Sequence, residues 1–202
     1  MRLRGSRDRG RRHIFGERGG AAVEAAVVTP VVMALLFGII EMGFVFKDYL
    51  AVSGSVRAGV RVASANPRNA TFAQKAADRV ALTAGSMNFK NVQQLWVYKA
   101  NPSTAAQGSQ DKPIGFSDFS NCLVCVKFTW DASARKFVKN PTGTENWPAT
   151  TQNACVTGPP DRVGVYLQLK HDALTGLVFR TVNLSEGSIL TLEPMPVSGG
   201  CS

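Results

Sequence analysis

The chain has 202 residues and a formal net charge of +9, and 45% of its residues are apolar against 18% charged. This length fits one ordinary domain with an appendage, and the balance of apolar and charged residues excludes general disorder. Residues 1–19 contain seven arginines against Asp8 and Glu17, so this short N-terminal tail holds +5 of the +9. The remainder of the chain is only mildly basic.

An apolar stretch of 26 residues, from 21 to 46, follows the tail. As a helix it would be about 39 Å long, at roughly 1.5 Å per residue, enough to cross a hydrocarbon core of about 30 Å. A cleaved secretory signal has a shorter apolar region of about 7–15 residues. The positive-inside rule then predicts a cytoplasmic N-terminus and an extracytoplasmic remainder.

Two carboxylates and a proline lie within this stretch. Glu24 is near its inner end, and Glu41 is near its outer end, where a carboxylate reaches the interface. Pro30 removes one helical hydrogen bond, which predicts a kink. Because an ionised side chain at the centre of a membrane span costs about 2.5–3.5 kcal/mol, such carboxylates require an explanation.

The segment resembles the N-terminal segment of class III prepilins of the type IV pilin superfamily, and most closely that of TadE-like minor pilins of the tight-adherence (Flp) pilus. The resemblance is carried by RGGAAVE at residues 18–24, by the apolar run with Pro30, by LFGIIEMG at 36–43 and by VRAGVRVA at 56–63.

The resemblance implies that a membrane prepilin peptidase removes the leader between Gly19 and Gly20, and the alternative register cuts after Gly20. It also implies that Glu24, the fifth residue of the mature chain, neutralises the N-terminal ammonium of a neighbouring subunit. The competing interpretation of Glu24 is a side chain that simply extends to the inner membrane interface.

Three parts are therefore expected: a basic cytoplasmic leader over 1–19, a long helix over 20–65 and an extracytoplasmic head over 66–202. The helix should leave the membrane and continue as an amphipathic segment, because Arg57 and Arg61 share one face and small apolar residues share another.

The head is predicted to have an α+β fold, with a second helix and a small antiparallel sheet joined by long loops. Apolar periodicity places the helix, and runs of β-branched and aromatic residues place the strands. The helix is predicted over 71–87, and the strands over 92–100, 122–130, 162–170 and, more weakly, 188–192. Residues 101–120 and 131–160 are expected to be loops, and the apolar residues 174–179 a short helix or a loop near the membrane.

All four cysteines follow the membrane helix, and an even number on the oxidising side predicts two disulfides. The four are Cys122, Cys125, Cys155 and Cys201. Three pairings are possible. We expect one member of the CxxC pair to join Cys155 and the other Cys201, because neighbours three apart in a strand point to opposite faces. A redox motif is disfavoured because no thioredoxin-like βαβ pattern surrounds the CxxC pair, and a zinc site because Cys155 and Cys201 are too far apart in the sequence to form a second close ligand pair.

The sequence contains no catalytic constellation, since it has no P-loop, no G-x-S-x-G elbow and no H-E-x-x-H motif. His171 is interpreted as a surface residue, and the carboxylates of the head as solvated. Trp96 and Trp130 are predicted in the core, and Trp147 is predicted to be exposed for contact.

The sequence thus predicts a structural minor pilin or pseudopilin of a Tad/Flp adhesion pilus, without catalysis, cofactor or metal. The expected partners are membrane lipid, a prepilin peptidase and other pilin subunits, with no nucleic acid and no small-molecule substrate. The expected location is the bacterial inner membrane, with passage into an extracellular pilus left open. The alternatives are an uncleaved single-pass protein with an extracellular binding head and a membrane-anchored enzyme.

Overall fold

A computed structural model describes residues 16–85, 87–100, 124–140, 147–156, 158–176 and 178–195. Helix α1 spans Gly16–Ser64 and α2 spans Phe72–Thr83. The strands are β1 Val92–Ala100, β2 Cys125–Asp131, β3 Lys136–Lys139, β4 Arg162–Asp172 and β5 Thr181–Thr191. The predicted α+β class, with a long N-terminal helix, a second helix and an antiparallel sheet, is confirmed.

The five strands form one antiparallel sheet in the order β3-β2-β1-β4-β5. The central strand β1 pairs Leu95 with both Phe128 of β2 and Leu167 of β4, and all three side chains are buried. The three strands predicted with the strongest β propensity are therefore the three central ones.

The two edge strands differ from the sequence prediction. Strand β3 lies in a region predicted to be a loop, and its hairpin turn forms because Asp131 Oδ1 accepts hydrogen bonds from the backbone N–H groups of Ser133 and Ala134. Strand β5 begins at Thr181, seven residues before the predicted strand, and pairs along the whole of β4. Its first half is polar, so backbone pairing with a buried neighbour decides its conformation.

Both helices cover the same face of the sheet. The C-terminal half of α1 packs on β4, β5 and α2, and α2 packs on β1 and β3. The predicted small apolar face of α1 is buried and both arginines on the other face are exposed. At Gly59 an added Cβ would lie 2.6 Å from Val80 Cγ2 and 3.2 Å from the Ala76 carbonyl oxygen, so glycine sets the distance between the helices.

Helix α2 ends at Thr83, earlier than predicted, although Ala84 and Met87 of the predicted apolar stripe are still buried. The prediction that Trp147 is exposed is wrong. Its ring is only 1% exposed and packs edge-on against Phe72 with the centroids 5.3 Å apart, which closes one end of the core.

Candidate functional site

The N-terminal part of α1 stands out from the head as a bare apolar helix. Every side chain from residue 19 to residue 36 is exposed, on all faces of the helix. Val27, Leu35 and Ile39 are exposed by 68%, 64% and 71%. The helix is long and apolar enough to span a membrane. An exposed apolar surface of this extent marks a contact with lipid or with another protein.

The residues of the predicted cleavage site lie within this helix. Gly19 and Gly20 are exposed and helical, and no atom lies within 4 Å of a Cβ built on either. Glu24 is exposed one turn further on, and within the described ranges its carboxylate makes no hydrogen bond or ion pair. The leader before residue 16 lies outside the described residues, so cleavage and the role of Glu24 stay predictions.

Glu41 is buried, which the sequence analysis did not predict. Its side chain is 1% exposed because the turn that joins β4 to β5 lies over it. Oε1 accepts hydrogen bonds from the backbone N–H of Thr175 at 2.7 Å and of Gly176 at 3.0 Å, and from the Thr175 hydroxyl. The carboxylate therefore fixes the turn to α1 inside the stretch that the sequence assigns to the membrane.

A second polar contact joins α1 to β4 two helical turns further along. Nδ1 of His171 lies 2.7 Å from Oδ2 of Asp48, and the two side chains are 8% and 13% exposed. The interpretation of His171 as a surface residue is therefore wrong. Together with Lys47 and Leu174, the pair lines a recess of about 310 Å³.

A signal for both polar contacts was present in the sequence. Glu41 and Asp48 continue, at spacings of seven and four residues, the stripe that leads into the buried Val52 and Val56. Residues at this spacing share one face of a helix. The surrounding apolar run hides this periodicity, so the sequence alone does not reveal the polar positions as part of the stripe.

The expectation that the carboxylates of the head are all solvated is wrong. Asp161 is 8% exposed, and its Oδ1 lies 2.9 Å from Lys99 Nζ. Its Oδ2 accepts a hydrogen bond from the backbone N–H of Asn153. It therefore ties the loop before β4 to β1. Within the described ranges no three His, Cys, Asp or Glu side chains are placed to hold a metal ion. The absence of catalysis stays a prediction.

The other face of the sheet carries a small aromatic cluster. Trp96 and Tyr98 of β1 are buried there beside Tyr166 of β4. Lys127 Nζ lies 4.5 Å from the centroid of the Trp96 ring. Burial lowers the pKa of the Lys127 ammonium and raises the pKa of the Tyr166 phenol, as expected for groups whose charged forms lose water. The prediction of a buried Trp96 is confirmed.

The cysteines are only partly within the described residues. Cys122 and Cys201 lie outside them. No disulfide joins two described cysteines, and Cys125 and Cys155 are not free thiols. The predicted pairing therefore stays a prediction.

Comparison with known proteins gives one finding. Residues 19–61 match the family model described as TadE-like protein. No curated protein and no solved structure matches the chain. The match covers about a fifth of the chain and falls on α1, from the glycine pair to the arginines of its amphipathic half. Over this helix the chain is similar to TadE-like proteins, as its sequence motifs indicated, and this similarity suggests a protein associated with a Tad pilus.

Proposed function

We propose that this protein is a minor pilin or pseudopilin that acts structurally, without catalysis, in the assembly of a Tad/Flp-type adhesion pilus. The observation that carries the proposal is the exposed apolar segment of α1, which projects from a folded head and matches the TadE-like family model. A helix that is apolar on every face needs lipid or other helices around it. Pilin subunits use such a helix in both settings, first in the membrane and then in the fibre.

Processing by a prepilin peptidase is part of the proposal. The bond between Gly19 and Gly20 is unobstructed, but it lies inside a helix and must unwind to enter a protease. Each glycine weakens a helix by about 1 kcal/mol relative to alanine, so two in sequence ease that unwinding. The cut leaves Gly20 as the new N-terminus, with Glu24 one turn away on the same face.

The charges of the mature N-terminus support its role in assembly. A free ammonium at Gly20 and the carboxylate of Glu24 would both lie at the inner end of the membrane span. Opposite charges attract strongly where the dielectric constant is low, which offsets part of their desolvation cost. We propose that Glu24 pairs with the N-terminus of a neighbouring subunit and so sets the register between subunits in the assembly.

The location follows from the same features. We propose an inner-membrane protein whose arginine-rich leader is cytoplasmic before it is removed and whose head is extracytoplasmic. Its partners in this state are lipid, the peptidase and other pilin subunits.

N-terminal sequencing of the mature protein tests the processing step. We expect a start at Gly20 when the full chain is co-expressed with a prepilin peptidase, and an intact leader without the peptidase. Gly19→Leu should block the cut, because a branched side chain would obstruct the cleft. Gly43→Leu is the matched control, since Gly43 is also an unobstructed glycine of α1. An intact arginine tail in the presence of active peptidase would instead support the uncleaved single-pass protein.

We also propose two disulfides in the head. Cys155 forms an isolated parallel bridge with Met195, which is six residues before Cys201 in the sequence. This contact favours the pairs Cys155–Cys201 and Cys122–Cys125 over the pairing expected from the sequence, in which Cys122 and Cys125 bond separately to Cys155 and Cys201. Peptide mapping without reduction distinguishes the two patterns.

A further inference from the structure

The turn between β4 and β5 presents apolar side chains beside the membrane helix. We define the β4–β5 turn as residues 173–176 and 178–180. Leu174 and Val178, which lie in this connection at the end of the β4–β5 hairpin, are exposed by 72% and 61%. Exposed turn residues of water-soluble heads are mostly polar. An apolar turn at this place calls for an apolar surrounding.

The position of the turn along α1 is fixed by two contacts. The Glu41 carboxylate accepts hydrogen bonds from the backbone N–H groups of Thr175 and Gly176. Val178 Cγ2 lies 3.6 Å from the position that a Cβ would take on Gly38. At about 1.5 Å per residue, roughly 30 Å of helix separate Gly20 from Glu41, which equals the thickness of a hydrocarbon core. The turn therefore lies level with the outer boundary of that core.

The apolar surface of α1 does not end at this level. It continues for five residues beyond Glu41, to Phe46, before Lys47 and Asp48 begin the polar part. Five residues add about 8 Å of helix, so the turn is deeper than the end of the apolar stretch. Arg180, the last residue of the turn, and Lys47, which lies beside Leu174, are both exposed, and cations at this level of the helix would reach lipid phosphates.

We infer that the β4–β5 turn inserts into the outer leaflet beside α1, with Leu174 and Val178 in contact with acyl chains. Glu41 is the positioning residue, because its carboxylate accepts hydrogen bonds from two backbone N–H groups of the turn that would otherwise have no partner in lipid. The head is thus attached to the membrane at two places, which fixes its orientation on the surface. This inference rests on the membrane span in the proposed function.

Fluorescence quenching by brominated lipid tests the inference. The full chain is reconstituted singly into nanodiscs of phosphatidylcholine and phosphatidylglycerol, with or without dibrominated acyl chains. Tryptophan is introduced by Leu174→Trp in the turn, by Leu36→Trp within the span and by Leu82→Trp on α2. Leu82 is the matched control, because it is also an exposed leucine, at 76%, but in the head. The emission of the unsubstituted protein is subtracted.

We expect brominated lipid to quench the added emission at positions 36 and 174 and not at position 82. Quenching at 36 with none at 174 would overturn the inference and leave the membrane span intact. No quenching at 36 would contradict the span itself, and with it the proposed function. If the emission at 174 responds only to added protein, a second copy and not lipid covers the turn, which also overturns the inference.

The role of Glu41 is tested in the Leu174→Trp background. Glu41→Ala removes the acceptor, so quenching at position 174 should decrease while quenching at position 36 in the matching variant stays unchanged. Glu41→Gln keeps one acceptor oxygen and should restore most of the quenching. Equal quenching in all three proteins would show that Glu41 does not position the turn.

Discussion

Nδ1 of His171 and Oδ2 of Asp48 lie 2.7 Å apart at the junction between α1 and the sheet. The two residues are 123 positions apart in the chain, so their contact forms only when β4 docks on α1. Along α1, within the described residues, it is the next polar contact with the head after the one that Glu41 makes with the turn. The contact therefore helps to set the height of the head on the helix.

We expect Asp48→Ala to destabilise the protein by about 1–3 kcal/mol, because His171 then keeps a buried ring nitrogen without a partner. The measurement is denaturant unfolding of the full chain in nanodiscs. Lys170→Ala is the control, since its 3.8 Å ion pair with Asp172 is exposed and should contribute less than about 1 kcal/mol. Equal effects of the two substitutions would contradict this account of the pair.

Glycine substitutions in α1 should have opposite effects at two positions. Gly59→Ala places a Cβ 2.6 Å from Val80, and overpacking of this kind costs about 1–3 kcal/mol. Gly54→Ala meets nothing within 4 Å and should stabilise the helix by up to about 1 kcal/mol. Thermal unfolding monitored by circular dichroism should show a lower melting temperature for Gly59→Ala and a higher one for Gly54→Ala. A stabilising Gly59→Ala would show that α1 and α2 are further apart than described.

Trp147→Ala should be among the most damaging single substitutions in the head. The indole is fully enclosed and packs on Phe72, and loss of a buried tryptophan costs about 3–5 kcal/mol. Val156→Ala is the comparison, because Val156 is an apolar residue of the same region that is 65% exposed. Limited proteolysis of the reconstituted protein reads out the difference. If both variants resist the protease equally, Trp147 is not part of the core.

Glu24→Ala should separate processing from assembly. We expect the cut after Gly19 to proceed as before and the fraction of protein recovered in sheared pili to fall, because the neighbouring ammonium loses its counter-charge. Thr29→Ala serves as control, since it also removes a polar group from the exposed part of α1. Normal recovery of the Glu24→Ala protein in pili would contradict the proposed pairing of Glu24 with the N-terminus of a neighbouring subunit.

The sequence predicted those elements whose residues carry their own periodicity. The valines of the outer half of α1 and the β-branched runs of β1, β2 and β4 are of this kind. Strand β3 and the first half of β5 were missed because neighbouring backbone holds them in place and their own composition does not. The burial of Glu41, His171 and Trp147 was missed for a related reason. His171 and Trp147 are enclosed by segments distant in the chain, and no local pattern records such contacts, whereas the helical spacing that marks Glu41 is hidden by the surrounding apolar run.

Helix α1 joins the apolar segment to the folded head without a break, and this has a mechanical consequence. The contacts between α1 and the head extend from Glu41 to Ser64, about 35 Å along the helix axis. A pull along that axis loads them in shear, all at once, instead of peeling them apart one by one. If the helix is held among its neighbours in a fibre, tension would pass directly into the interface between α1 and the sheet, with no hinge to absorb it.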